Sequence, residues 1–177
     1  MQIKVGDKIE NITLPSIDDS IFEYKSVKGK KILLTFYRFA ACPMCNLRIN
    51  ELIKSYDSFG DNFTHIAIFD SSLDNLKRFT NRHNAPFPIL ADDKFQYFKK
   101  YDVKRSFLVF LWSQIIRVNR QIKAMLKGYI PWAFNGYIST LPVDVLINEE
   151  GIVSQVKYAK DLSDHIPIKN IQEFTSD

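Results

Sequence analysis

Apolar positions along this chain fall into two rhythms. Unbroken runs rich in strand formers occur at KKILLTFYRF (residues 30–39) and FTHIAIF (residues 63–69), and each predicts a buried strand. Between them, PMCNLRINELIKSYDSF places Cys45, Ile49, Leu52, Ile53 and Tyr56 at three- and four-residue spacing, which predicts an amphipathic helix. Pro43 suits its first position, where a missing N–H costs nothing, and Gly60 suits its stop. After the second strand, SSLDNLKRFTNRHN predicts a helix capped by Ser71 or Ser72 that buries Leu73, Leu76 and Phe79. APFPILADD reads as a loop with a short extended piece, and Asp92 or Asp93 can cap a helix over KFQYFKKY. Farther on, VDVLIN and IVSQVKY flank EEG as a hairpin, and IPIKNIQEF predicts a final helix. Strands alternating with helices, then an antiparallel hairpin, predict an α/β fold with a sheet of mixed direction.

One segment stands outside this alternation. SFLVFLWSQIIRVNRQIKAMLKG (residues 106–128) reads as a single inserted helix with Ser106 as N-cap and Gly128 as stop, about 33 Å long at 1.5 Å per residue. Leu108, Leu111, Trp112, Ile115, Ile122 and Leu126 share one face, with Arg117, Arg120, Lys123 and Lys127 elsewhere. The apolar run is too short to span a bilayer. The face is expected to pack on the domain or on a second copy of the chain, making a homodimer; docking to a membrane surface or a partner protein is the alternative.

Composition narrows the function classes. A chain of 177 residues, 46% hydrophobic and 25% charged, fits a single folded domain over residues 1–177 rather than a disordered or fibrous chain. The net charge of +4 spreads 24 basic residues among 20 acidic ones, and only RVNRQIK approaches a basic stripe, so no nucleic-acid partner is expected. The opening MQIKVGDKIE holds no apolar stretch of the kind a signal peptide needs, and the expected location is the cytoplasm. In that reducing compartment, two cysteines spaced as Cys42 and Cys45 call for a redox or metal explanation rather than a structural staple.

A thiol is a poor nucleophile until it ionises, and the unpaired N–H groups at a helix start favour ionisation. Cys42, just ahead of Pro43, holds that position. Cys45 lies one turn on, close enough to attack a mixed disulfide formed by Cys42. On this local argument Cys42 attacks and Cys45 resolves. A structural zinc site would need more ligands, and only His65, His83 and His165, far apart in sequence, are at hand; neither metal nor cofactor is expected. Two inert buried cysteines are the plain alternative.

In order along the chain, VGDKIENITLPSID, KGKKILLTFYRF, FPILADDKFQYFKKYDV and STLPVDVLINEEGIV resemble successive segments of the thioredoxin-fold superfamily. The resemblance is to its peroxiredoxin-like branch, the alkyl hydroperoxide reductase and thiol-specific antioxidant (AhpC/TSA) group. It covers nearly the whole chain and implies a thioredoxin-like fold: a central mixed β-sheet flanked by helices, here with an inserted long helix. It also implies a thiol-dependent oxidoreductase acting on a protein or small-molecule disulfide or on a hydroperoxide, and recycled by a cellular thiol of the thioredoxin or glutathione type.

The resemblance maps a cis-proline onto Pro142 and gives Leu141, before it, a backbone role in holding substrate; a plain edge-strand proline is the alternative. It also exposes a departure. The peroxiredoxin site resembles FYPxxxTxxC, and laid on FYRFAACPMC this puts Arg38 where proline is expected, Cys42 on the threonine and Cys45 on the cysteine that attacks peroxide. A peroxidase reading therefore chooses Cys45, and a thioredoxin-type reading Cys42. Burial of Cys45 on the apolar face of its helix favours Cys42. Arg38 can support a thiolate, contact an anionic substrate, or lie on the surface. Tyr37 and Trp132 are candidate substrate-binding side chains; Tyr129, Trp132, Phe134 and Tyr137 either wall the site or anchor the inserted helix. A binding module docking through residues 106–128 with a redox-silent cysteine pair is the reading from outside enzymology.

Overall fold

Strand formation follows the apolar runs. In the computed structural model, which describes every residue except 10, 81–82, 131–135 and 177, β1 (Thr13–Pro15) and β2 (Ile21–Glu23) form a short antiparallel hairpin ahead of β3 (Lys31–Tyr37). α1 (Pro43–Lys54) leads to β4 (Phe63–Phe69), α2 (Leu73–Thr80), β5 (Ile89–Ala91) and α3 (Gln96–Lys100). Then come α4 (Phe107–Ile116), α5 (Val118–Leu126), the hairpin of β6 (Val143–Ile147) and β7 (Val153–Tyr158), and α6 (Ile168–Ser176). The main sheet runs β5-β4-β3-β6-β7: β4 is parallel to β3 and to β5, while β6 is antiparallel to both β3 and β7.

The two faces of β3 bury different things because strand side chains alternate. Ile32, Leu34 and Phe36 join Ile66 and Ile68 of β4, Val143, Val145 and Ile147 of β6, and Phe98 of α3 in one core. On the opposite face, Leu33 packs with Leu52 of α1, Leu146 of β6 and Ile171 of α6, and Tyr37 lies in a cluster with both cysteines, Ile49 of α1 and Phe69 of β4. Each fully buried Leu or Ile contributes about 1.5–3 kcal/mol, so β3 is held from both sides and its C-terminal end is a rigid support.

Several caps fall where the sequence places them. Asp92, not Asp93, receives the N–H groups of Gln96, Tyr97 and Phe98 at 2.9, 2.8 and 3.3 Å. Ser106 Oγ receives the Val109 N–H at 3.3 Å, and Gly128, at φ 78°, follows the last turn of α5. The expected single long helix is instead two, interrupted at Arg117 (φ −110°, ψ 18°).

The break goes with an inversion of faces. The inner side of α4–α5 carries Ser113 and Ala124, both fully buried, small residues that let the helices approach closely. Ser113 Oγ takes the Leu162 N–H at 3.2 Å. The arginines point inward too: Arg117 pairs with Asp161 at 2.6 and 3.0 Å, and Arg120 with Glu51 of α1 at 2.6 Å. The stripe expected to pack on the domain or on a second copy of the chain does not pack on the domain, with Leu108 78%, Trp112 59%, Ile115 69% and Leu126 83% exposed. Polar anchoring, not the apolar stripe, seats this insertion. No described helix is long and apolar enough to cross a membrane.

Candidate active site

FYRFAACPMC carries the chain off the end of β3 and into α1. The three parallel strands β3, β4 and β5 end on this side of the sheet, and such carboxyl ends are where open α/β sheets place their chemistry. Cys42 is the N-cap of α1 (φ −63°, ψ 117°), Pro43 is the first helical residue, and Cys45 sits in the first turn. Both cysteines are free thiols and both are buried.

Two donors converge on the Cys42 sulfur. The Cys45 N–H points at Sγ from 3.3 Å, and Arg38 Nη2 lies 3.0 Å away. Burial alone pushes the Cys42 thiol up. A hydrogen bond from the Cys45 thiol, the Arg38 charge and the donors just named outweigh it, bringing Cys42 down to about 6. The same burial, together with that hydrogen bond and the negative charge on Cys42, pushes Cys45 well above the ordinary thiol range, against a smaller pull from Arg38. The two sulfurs are thus made unlike by one shared interaction. Cys42 is therefore the sulfur drawn toward the thiolate near neutral pH.

Of the three places open to Arg38, the structure takes the inward one. Its side chain is 3% exposed, and its guanidinium lies 5.4 Å from the centre of the Phe39 ring. Pro142 is buried but preceded by a trans peptide bond, since no cis bond occurs among the described residues. The expected cis-proline is therefore corrected. Around it the Leu141 N–H donates to the Lys104 carbonyl at 2.9 Å and the Pro142 carbonyl accepts from Ala159 N–H at 3.0 Å. With its N–H held by the chain itself, Leu141 has none to offer an extended substrate; its side chain packs against the cluster that contains the cysteines.

Tyr37 is fully buried, stacked on Phe69 at 4.9 Å with its hydroxyl 3.2 Å from His65 Nε2. It is a core residue and presents no surface to a substrate. Trp132 and Phe134 lie outside the described residues. Tyr129 packs with Leu47 and Ala124 as an anchor of α5, and Tyr137 stacks against Arg105, 3.1 Å from ring centre to guanidinium.

Two features escaped the sequence reading. Asn46, one turn after Cys42, donates to the carbonyls of Ala40 and Cys42 at 2.8 and 2.9 Å, and its Oδ1 lies 2.7 Å from His83 Nε2. It fixes the turn that presents Cys42. The signal was a polar residue in an otherwise buried helix start. Gly136, at φ 119°, passes so close to Phe39 and the Asp70 backbone that a Cβ there would collide with both. Asp70 Oδ2 takes the neighbouring Tyr137 N–H at 2.8 Å, and the Asp70 N–H donates to the Arg38 carbonyl at 3.3 Å. The two loops thereby lock the Arg38–Phe39 backbone. Only a glycine permits both the positive φ and the close approach.

With this geometry in view, the relatives decide the class. The AhpC/TSA family model matches residues 5–156. The chain belongs to the AhpC/TSA family. It is 28% identical to peroxiredoxin Bcp of Bacillus subtilis over 58% of this chain and 66% of that one. It is 24% identical to peroxiredoxin Bcp of Escherichia coli over 82% and 94%. It is also 22% identical to the thiol-disulfide oxidoreductase ResA of Bacillus thuringiensis over 73% and 78%. Among solved structures, peroxidoxin BcpB from Mycobacterium tuberculosis superposes with a TM-score of 0.72 at 13% identity, covering 99% and 97% of the two chains. The fold is thus the expected thioredoxin-like, peroxiredoxin-like one, and AhpC/TSA membership makes this chain a thiol-dependent oxidoreductase.

Proposed function

We propose that this AhpC/TSA protein is a thiol–disulfide oxidoreductase in which Cys42 attacks and Cys45 resolves. The observation that carries the reading is the Cys42 sulfur held between the Arg38 guanidinium and the Cys45 N–H. The Cys42 thiolate forms a bond to one sulfur of a substrate disulfide and expels the other as thiolate. Cys45 then loses its proton, bonds to Cys42 Sγ and expels the second substrate thiolate. Two electrons pass to the substrate and a Cys42–Cys45 disulfide remains, which a cellular thiol reductant of the cytoplasm reduces again.

Ionisation of Cys45 is the demanding half-step while Cys42 is a thiolate. Once Cys42 is in a mixed disulfide its negative charge is gone, and with it one of the influences that hold Cys45 up. These opposite pulls on the two thiols support Cys42 attacking before Cys45. Cys45→Ser should stop at a mixed disulfide on Cys42, detected by intact-mass spectrometry; a mixed disulfide forming equally well in Cys42→Ser would sink the assignment.

A second reading is favoured by the peroxiredoxin relatives: hydroperoxide reduction with Cys45 as the attacking thiolate. There Cys45 takes the terminal peroxide oxygen to become a sulfenic acid, an alcohol or water leaves, and Cys42 condenses with it to the disulfide and water. The elevated Cys45 thiol speaks against it. Peroxide-driven sulfenic acid on Cys45 in Cys42→Ser, formed faster than on a simple thiol at equal thiolate fraction, would move this reading ahead.

A further inference from the structure

Arg38 is a buried cation whose hydrogen bonding is only half used. A guanidinium carries five N–H donors. Nη2 of Arg38 faces Cys42, while Nε and Nη1, equally shut from solvent, meet no hydrogen-bond partner among the described residues. Buried donors left this way are unfavourable and rare in folded proteins, and each calls for an explanation.

Arg38 also lines a cavity of about 200 Å³ roofed by the inserted helices. Phe110 and Gln114 of α4 and Gln121 and Met125 of α5 form the roof, and Phe39, Pro43 and Met44 form the wall. Gln121 Nε2 donates to Gln114 Oε1 at 2.6 Å, which ties the two helices together across the roof. At about 30 Å³ per water the space equals roughly six or seven waters, enough for a carboxylate on a short carbon chain. Its lining is apolar except for one buried cation and two amides.

The redox cycle makes the missing partner more acute. The charges that act most strongly on Arg38 come from Cys42 and then Cys45. When the Cys42 thiolate is consumed in a disulfide, that counter-charge vanishes and the guanidinium stays buried. We infer that the cavity beneath α4–α5 is a subsite for a small carboxylate borne by the disulfide substrate, bound by Arg38 and favoured once Cys42 no longer carries charge. This rests on the proposed dithiol–disulfide cycle. The aliphatic part of the substrate lies against Phe110, Met44 and Met125, and its carboxylate sits beside the Arg38 guanidinium that borders the cavity, which turns on binding to bring its buried free donors onto it. A small acidic disulfide is then preferred over a neutral one of equal size.

The probe is propionate, titrated into isotope-labelled protein while the side-chain resonances of Arg38, Gln114 and Gln121 are followed by NMR. Propionate is expected to bind the Cys42–Cys45 disulfide form at least tenfold more tightly than the dithiol form. By linkage, saturating propionate then shifts the dithiol–disulfide equilibrium toward the disulfide by the same factor, about 30 mV for two electrons. Cys42→Ser removes the thiolate with no redox step and should bind propionate as tightly as the disulfide form, even if no disulfide is ever a substrate. Met125→Trp, which fills the cavity and leaves Arg38 in place, should abolish binding, as should Arg38→Gln. Equal binding to dithiol protein and Cys42→Ser, no saturable binding to either, or unchanged binding in Met125→Trp would overturn the inference. Loss of disulfide turnover with these binding differences intact would overturn only the catalytic reading.

Discussion

Two buried polar centres flank α1, and they are built on opposite principles. Asp144, on β6, accepts from Thr35 Oγ1 at 2.9 Å and the Ile166 N–H at 2.7 Å, and both its oxygens lie 3.1 Å from His165 Nδ1. Burial alone would push its carboxyl up, but His165, Arg48 and the Ile166 N–H hold it well below the usual carboxylate range. Arg38 at the other centre is equally buried, yet two of its guanidinium nitrogens meet no hydrogen-bond partner among the described residues, and Nη2 faces the sulfur proposed to attack. A buried charge whose neighbours are all in place is costly to remove alone, because its partners are then left stranded. One left short keeps its interactions available for a charge that appears and disappears during reaction.

The sharpest way to break this contrast is to remove each charge in turn. Asp144→Ala strands the partners of a satisfied carboxylate and should cost about 3–5 kcal/mol in urea unfolding. Less than about 1 kcal/mol would mean the network is not what holds β6 to the segment before α6. Arg38→Met replaces the other charge with an apolar side chain and should change stability by under about 1 kcal/mol, or raise it. The Cys42 titration should nevertheless climb by about one to three units without its opposite charge, read as thiolate absorbance against pH. A large stability loss in Arg38→Met would make that arginine structural after all.

Acid should separate the centres as well. His65 is buried beside Tyr37 and held to the Leu33 carbonyl at 2.8 Å by Nδ1; burial brings its pKa down to about 3. Its folded value lies below the unfolded one of about 6.5, so its contribution is complete above pH 6.5 and is lost as pH falls below it, at about 1.4 kcal/mol per unit. Asp144, also depressed, keeps its contribution until pH falls through the unfolded carboxylate value of about 3.9. Stability measured from pH 7 to 4.5 should therefore slope in the wild type and be flatter in His65→Phe. Identical slopes would refute a neutral buried His65. The smallest effect is expected at Arg117, 39% exposed and paired with Asp161: Arg117→Ala should cost less than about 1 kcal/mol, although it anchors the insertion.

What the linear chain specified on its own was whatever depends on neighbours within a few residues. The runs of β3 and β4, the start of α1 at Pro43, a cap at Asp92 or Asp93, the cap at Ser106 and the placement of Cys42 ahead of a helix all follow from local rhythm and capping chemistry. So does the pairing of two thiols one turn apart. Contacts distant in sequence decided the rest. Arg38 turns inward because the loops around Asp70 and Gly136 lock its backbone and because Cys42 offers a negative charge. Asn46 becomes the brace of the site only once His83 reaches it.

The insertion shows the limit most plainly. Its apolar stripe left open whether that face meets the domain or a second copy of the chain, and Asp161 and Glu51, remote in sequence, draw Arg117 and Arg120 inward and leave Leu108, Trp112 and Leu126 off the domain. A periodic pattern reports that a helix has two unlike faces. Which of them is buried is settled by the partner surface, and that surface exists only after the chain has folded.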